Sequence, residues 1–311
     1  PHDRECEACV RGKIHKIHSR RTKRRDKLPS RWGEEVTADV LISKSNLVKG
    51  YDGAKNAIVM FDIGTGQTNC YPSANKDIHA ARQAFLHWTG PNDKMKSFYS
   101  DNAGDLVEAA RERGWFTDQS VPYVSHTNGI VERRIRTVEE ATRTILDQCG
   151  MDPPYWPVAA PYWCFADCID RSEGVSKYYK RYKEEFPGKF IPFGAYVEFL
   201  PPKSLKKRFP KFGTTAQAGI FFGYHLKAGC KWSGSYYVAL KADFDVDSEI
   251  MKKGKPMPYY RVKEVTVTRK DPWEYPLKQA YEDKRTKVES QPLGHTQPKD
   301  DCEADSDLSL I

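Results

Sequence analysis

The chain has 311 residues, of which 39% are hydrophobic and 30% are charged, and its formal net charge is +8. This length can bury one large core or two ordinary ones, and the composition is that of a globular protein with polar appendages. No uninterrupted apolar run approaches the ~18 residues of a membrane-spanning helix, and no secretory signal is visible, so we expect no membrane partner. Because the chain begins at Pro1 rather than Met, we expect it to be a piece of a longer protein.

Hydrophobic patterning predicts alternating strands and helices in the first half of the chain. Strands are predicted at 36–41, 57–61, 67–71, 96–100 and 121–124, and helices at 77–88, 105–113, 128–148 and 155–172. Gly114 and Gly150 follow two of these helices and are typical of helix ends. Strands and helices in this order indicate an α/β domain with a central mixed sheet.

Beyond about residue 190 the pattern is that of a small β-rich module. Strands are predicted at 192–199, 218–224, 235–240 and 261–268. A basic cluster at 203–208 lies between the first two of them. From residue 282 the chain turns polar, first basic and then acidic, which predicts a disordered tail.

The positive charge of the chain is concentrated near its beginning. Residues 11–28 contain nine Lys or Arg and one Asp, a surplus equal to that of the whole chain. Such a run can release counterions from a phosphate backbone and bind nucleic acid without sequence preference. The alternatives are a solvated, disordered arm or a nuclear localisation signal. The candidate nucleic-acid contacts are Lys13, Lys16, Arg20, Arg21, Lys23, Arg24 and Arg25.

Three carboxylates stand in distinctive local sequences. Asp39 lies in the first predicted strand, Asp101 directly follows the fourth, and Glu132 is near the start of the third helix. Carboxylates presented by strands beside a helix can hold two divalent cations, which clamp the attacking and leaving oxygens of a phosphodiester in line. The three residues are therefore candidate ligands for two metal ions and candidate catalytic residues.

Each carboxylate also has a plainer reading. Asp39 could be an exposed residue of an edge strand, and Asp101 with Asn102 could end a strand in a turn. Glu132 could favour the helix dipole and pair with Arg136, four residues on. Taken singly, none of the three identifies a catalytic site.

The contexts of these carboxylates resemble the catalytic core of integrases from copia-type retrotransposons. The resemblance rests on Ser-Asp-Asn-Ala-Gly-Asp at 100–105 and on Thr-Asn-Gly-Ile-Val-Glu-Arg-Arg at 127–134. It implies an RNase H-like fold, with a mixed five-stranded sheet flanked by helices, and an Asp-Asp-Glu triad that binds the metal ions. By motif, Asp39, Asp101 and Glu132 would be that triad.

The resemblance also implies a function and a domain order. The function would be metal-dependent processing of DNA 3′ ends and strand transfer, which together integrate DNA, with two Mg²⁺ or Mn²⁺ ions. The partners would be double-stranded DNA, both element ends and target, and further copies of the chain, in the nucleus. The expected domains are a remnant of a zinc-binding module at 1–10, a basic linker at 11–32, a catalytic core at 33–175, a β-rich module at 190–270 and the disordered tail at 282–311.

One spacing departs from the pattern of that family. The 30 residues between Asp101 and Glu132 are fewer than the family usually has. We place the missing residues in a predicted loop at 114–120 and keep Glu139, two turns further along the same helix, as the alternative carboxylate. Asp62 matches a recurrent position of the family that is not catalytic.

Arg133 and Arg136 project from the same predicted helix as Glu132. They would either contact the DNA backbone or pair with Glu132 and Glu139. Two other functions also stay open for the chain. One is a catalytically inactive DNA-binding remnant of an integrase, and the other is a related RNase H-like transposase or nuclease.

The cysteines predict a partial metal site and no disulfide framework. Cys6 and Cys9 look like the last two ligands of the His-His-Cys-Cys zinc module that precedes integrase cores. A structural Zn²⁺ needs four ligands, and the histidine pair would lie before Pro1, so Zn²⁺ is expected in the intact parent protein. Cys164 and Cys168 stand one helical turn apart among aromatic residues and are expected in the core. The eight scattered cysteines favour a reducing, intracellular compartment.

Overall fold

The computed structural model describes residues 29–43, 49–100, 104–119, 129–172, 174–245, 247–248, 250, 256–268 and 272–289. These residues form two five-stranded sheets with helices packed against them. None of the helices in these ranges is both long enough and apolar enough to cross a bilayer. The strand predicted at 121–124 lies outside the described residues.

The first sheet is mixed and carries helices on both faces. Its strands have the order β3-β2-β1-β4-β5, with β1, β2 and β3 antiparallel and with β4 and β5 parallel to β1. This arrangement confirms the predicted α/β class and agrees with an RNase H-like core. The elements are β1 Val36–Ile42, β2 Asn56–Asp62, β3 Thr68–Ser73, α1 Ile78–Thr89, β4 Ser97–Ser100, α2 Gly104–Glu112, β5 Phe116–Gln119, α3 Gly129–Cys149 and α4 Trp156–Ile169.

Strand β5 occupies a segment that the sequence predicted as a loop. The prediction for 114–120 is therefore wrong for Phe116–Gln119, which pairs in parallel with β4. The strand has four residues at the sheet edge, and its first side chain, Phe116, is exposed. A strand this short has no hydrophobic alternation to detect, so pairing with β4 decides its conformation.

Alternate side chains of β1 and β2 face opposite sides of the first sheet. Val36 and Ala38 lie in a core with α1 and α2, where Trp88 is fully buried. Leu41 packs instead against the core that contains Val59 together with residues of α3 and α4. Both faces of the sheet are thus covered by helices, which explains why β2 reads as a nearly continuous apolar run.

The second sheet is antiparallel, with the order β10-β6-β7-β8-β9. The prediction of a single strand at 261–268 is wrong, because the chain forms two short strands there that pair at opposite edges of the sheet. The elements of this part are α5 Lys177–Tyr182, β6 Tyr196–Phe199, α6 Lys203–Lys206, β7 Gln217–Leu226, β8 Trp232–Leu240, β9 Tyr259–Val262, β10 Val265–Thr266 and α7 Lys278–Glu289. Short 3₁₀ helices cover Pro153–Tyr155 and Lys241–Phe244.

Helix α7 corrects part of the predicted disordered tail. It runs from Lys278 to Glu289, so disorder is the wrong prediction for 282–289. Good helix formers fill this segment, and two of its lysines pair with the end of α3 and the turn after it. Lys278 Nζ lies 3.6 Å from the carboxylate of Asp147, and Lys284 Nζ lies 3.2 Å from that of Asp152. Residues 290–311 lie outside the described part of the chain.

Helix α4 joins the two sheets because it is apolar on both of its long sides. It packs on β3 of the first sheet and on β7 of the second. Ala159 and Cys164 belong to one core, and Phe165 and Cys168 belong to the next. Both cysteines are therefore core residues, as the sequence predicted.

Arg181 of α5 forms a second connection between the two parts. Its side chain is 2% exposed, and its guanidinium donates to Gln67 Oε1, to the Trp88 carbonyl and to the Asp93 carboxylate, each at 3.0 Å. The same group lies 3.8 Å from the centre of the Trp32 ring. A planar donor fork that also stacks on an aromatic face is a role that lysine cannot fill.

The turn between β7 and β8 forms a third connection. The backbone N–H of Gly229 donates to the His87 carbonyl at 2.6 Å. The next residue, Cys230, has a positive φ of 58°, and its Sγ lies 3.3 Å from the Tyr71 hydroxyl and 3.7 Å from His87 Nδ1. Burial alone would raise the pKa of the Cys230 thiol and lower the pKa of His87, but their mutual contact reverses both shifts.

We predict that Arg181→Lys lowers the free energy of unfolding by about 2–4 kcal/mol, because the single ammonium of a buried lysine cannot reach all three acceptors of Arg181. Urea unfolding followed by circular dichroism measures the change. Arg171→Lys is the matched control, since Arg171 pairs with Glu185 on the surface, where such pairs contribute about 0–1 kcal/mol. Equal effects of the two substitutions would contradict the role given to Arg181.

Candidate active site

Asp39 lies within β1 on the face that α3 covers. Strand alternation puts it on the same side as Leu41, whose side chain packs in the core with α3 and α4. Its side chain is half-buried, and its Oδ1 accepts a hydrogen bond from the backbone N–H of Val40 at 2.7 Å. The reading of Asp39 as an exposed residue on an edge strand is wrong, because β1 is the central strand of the sheet.

The neighbouring strand ends level with Asp39. In the parallel register between β1 and β4, Ala38 is opposite Ser100, and β4 ends there. Asp39 is thus one residue beyond the last paired position. Asp101 follows Ser100 in the sequence but lies outside the described residues. The metal-binding role of Asp101 stays a prediction.

Glu132 is exposed in the first turn of α3. The direction of the Arg134 side chain shows on which flank of the helix Glu132 lies. Arg134 reaches toward β3 and α4, where its side chain donates to Thr68 and Asp167. Two residues along an α-helix differ by about 200° in direction, so Glu132 lies on nearly the opposite flank. In the order β3-β2-β1-β4, that flank is the side of β1 and β4. Glu132 therefore lies on the flank of α3 away from Arg134, and α3 covers the same face of the sheet as the one that carries Asp39.

Arg134 is a positioning residue that sequence reasoning missed. Its guanidinium lies 5.2 Å from the centre of the Phe61 ring and 5.4 Å from that of Trp163. The carboxylate that it binds, Asp167, also accepts from Lys177 Nζ at 2.6 Å. Helical spacing was the available signal, since Arg134 falls at the edge of the buried stripe of α3.

Arg133 and Arg136 differ from Arg134 because both are exposed. Within the described ranges, neither of the two side chains forms an ion pair or hydrogen bond, so the alternative pairing with Glu132 and Glu139 is not seen there. Glu139 is also exposed, two turns along the same flank as Glu132. Both side chains are exposed among the described residues, where an anionic partner could reach them.

Asp62 has a structural role in a turn. Its carboxylate accepts from the backbone N–H of Gly33 at 2.9 Å and from the N–H and hydroxyl of Thr65 at 2.7 and 2.6 Å. Burial raises the pKa of Asp62, although the three hydrogen bonds favour its charged form. These contacts fix the chain before β1 to the turn after β2, in agreement with a non-catalytic residue.

Several predicted site residues cannot be placed. Cys6, Cys9 and the seven basic residues between Lys13 and Arg25 lie outside the described ranges. Within the ranges that are described, no three His, Cys, Asp or Glu side chains form a group able to hold a metal ion. Asp39 and Glu132 supply oxygen donors of the kind that Mg²⁺ prefers. A third donor would have to come from residues outside these ranges, such as Asp101.

We predict that Arg134→Ala lowers the free energy of unfolding by about 2–3 kcal/mol, because Arg134 and its partner Asp167 are both mostly buried, with 18% and 19% of their side chains exposed. Arg133→Ala and Arg136→Ala are matched controls on the same helix and should stay within about 0.5 kcal/mol of the parent. Thermal and urea unfolding measure all three. A stable Arg134→Ala protein would show that α3 is held without this contact.

Comparison with known proteins supports a retroelement origin. Over 123 residues the chain is 26% identical to the retrovirus-related Pol polyprotein from transposon RE1 of Arabidopsis thaliana. The match covers 37% of this chain and 8% of that polyprotein, so the chain spans a small part of the relative's length. No protein-family model matches the chain. The chain is thus similar to a segment of a transposon Pol polyprotein.

Proposed function

We propose that the first sheet and its helices form the catalytic core of a copia-type retroelement integrase, which processes DNA 3′ ends and transfers them to target DNA. One observation carries the proposal: Glu132 lies on the flank of α3 that faces the β1–β4 side, where Asp39 stands level with the end of β4. The strand order of the sheet and the similarity to a transposon Pol polyprotein support it.

Asp39, Asp101 and Glu132 would hold two Mg²⁺ or Mn²⁺ ions. Bound there, the ions would supply Lewis-acid stabilisation of the attacking and leaving oxygens of the phosphodiester. The half-buried Asp39 belongs to the rigid central strand, and Glu132 belongs to a helix that Arg134 fixes to β3 and α4. Carboxylates on rigid elements keep their geometry when the substrate binds.

The same carboxylates would serve both reactions, because only the nucleophile differs. Water attacking the phosphodiester gives end processing, and a DNA 3′-hydroxyl gives strand transfer. Neither reaction needs a covalent protein nucleophile. Burial raises the pKa of Cys70, Cys164 and Cys168, which makes these three thiols poor nucleophiles.

The partner in this proposal is double-stranded DNA, both the element ends and the target. Arg133 and Arg136 lie exposed beside Glu132 and would contact the phosphate backbone. The basic run at 11–28 would add affinity that depends on salt but not on sequence. Multimers acting in the nucleus, and a Zn²⁺ module completed upstream of Cys6 and Cys9, belong to the same proposal.

We predict that Asp39→Asn, Asp101→Asn and Glu132→Gln each reduce Mg²⁺-dependent strand transfer to the level seen with chelator, because each removes a charged ligand of the metal ions. Glu139→Gln is the matched control on the same flank of α3 and should retain activity. The assay is the joining of a labelled blunt-ended duplex to plasmid DNA, with thermal unfolding as the check on folding.

The outcomes of this assay separate the alternatives. Loss of activity in Glu139→Gln but not in Glu132→Gln would move the third carboxylate two turns along α3. Activity that survives Asp101→Asn would exclude the carboxylate–metal mechanism. A parent chain that binds duplex DNA and joins none would instead be an inactive, DNA-binding remnant.

A further inference from the structure

A strongly basic segment, made of α6 and the residues that follow it, precedes β7 of the second sheet. Residues 199–216 contain five cationic side chains and no acidic one. All five are exposed, and they are Lys203, Lys206, Lys207, Arg208 and Lys211. We call residues 203–213 the basic loop. Its charge is independent of the basic run at 11–28.

The basic loop is anchored at several points. Leu205 is buried in the core of the second sheet, and Phe209 packs against the same core. Arg208 donates to the carboxylate of Asp243 at 2.8 Å, and Asp243 is only 1% exposed. The backbone N–H of Gly213 donates to the Pro210 carbonyl at 3.1 Å, which closes a turn at the tip. An anchored loop loses little conformational entropy when it binds a partner.

Phe212 stands at the tip of this turn and is 97% exposed. No ring contact joins it to another described aromatic side chain, and Lys211 Nζ lies 5.9 Å from the ring centre. The side chain of phenylalanine has no polar atom that could form a hydrogen bond with water. A fully exposed ring among cations on an anchored loop therefore marks a surface for a ligand that is both anionic and flat.

We propose that the basic loop binds single-stranded nucleic acid, with its lysines on the phosphates and with an unpaired base stacked on Phe212. Unpaired bases offer the accessible aromatic face that a paired duplex keeps within its stack. The charge of the loop matches a phosphate backbone, and its single exposed ring suits one base. This inference does not rest on the catalytic proposal, because binding needs no metal and none of the three carboxylates.

The test measures binding of the full-length chain to a short fluorescent oligothymidylate without divalent ions. We expect Phe212→Ala and Phe212→Leu to weaken binding about tenfold and Phe212→Tyr to bind as the parent does, because stacking requires an aromatic ring. Phe190→Ala is the matched control, since Phe190 is 54% exposed but lies outside the loop. A blunt-ended duplex of the same length should lose little affinity in any Phe212 variant.

Salt titration separates the two kinds of contact. Lys206→Gln with Lys207→Gln should reduce the slope of log affinity against log salt by about 1.4, which corresponds to two phosphate contacts on a single strand. Phe212→Ala should leave this slope unchanged. Because these side chains are exposed, unchanged thermal unfolding is expected in every variant.

Three results would overturn the inference. The first is equal binding of oligothymidylate by the parent and Phe212→Ala. The second is an equal loss for duplex and single strand. The third is a Phe212-dependent affinity for phosphatidylserine vesicles without one for oligothymidylate, which would identify a membrane surface instead. An oligouridylate arm tells whether the strand is DNA or RNA.

Discussion

Helix α4 buries side chains against both sheets at once, and the remaining structure depends on this double burial. Ala159 and Cys164 pack in the core that reaches the first sheet, while Phe165 and Cys168 pack under the second. A helix that is apolar on both sides cannot be exposed on either without a large loss of hydrophobic free energy. The second sheet is therefore an integral part of the molecule. Arg181 and the turn at Cys230 add polar contacts across the same junction.

The position of the candidate active site follows from this packing. Arg134 connects α3 to β3 and, through Asp167, to α4. The contact sets the rotation of α3 about its axis, and this rotation turns Glu132 toward the side of β1 and β4. Carboxylates that share a metal ion must be held within a fraction of an ångström. A residue that touches no substrate thus has an essential part in the proposed chemistry.

The two proposed nucleic-acid surfaces differ in their physical basis. Around Asp39 and Glu132 the proposal rests on carboxylates that need metal ions to approach phosphate, with exposed arginines beside them. In the basic loop, cations alone would face the phosphates, and one exposed ring would add a stacking contact. The first surface would perform chemistry on a duplex, and the second would hold a strand whose bases are unpaired. An experiment can disprove either of these two proposals and leave the other standing.

The sequence by itself determined the α/β class, most strands and helices of the first sheet, and the candidate carboxylates, because these depend on local periodicity and motif. It missed β5, predicted one strand where β9 and β10 are separate, and predicted disorder where α7 is helical. Each of these depends on pairing with distant residues, as α7 does with Asp147 and Asp152. Only the tertiary structure separated Arg134 from Arg133 and Arg136. Helical spacing puts Arg134 at the edge of the buried stripe of α3, but its partners Thr68 and Asp167 belong to other elements, and only the packing of α3 against β3 and α4 brings them within reach.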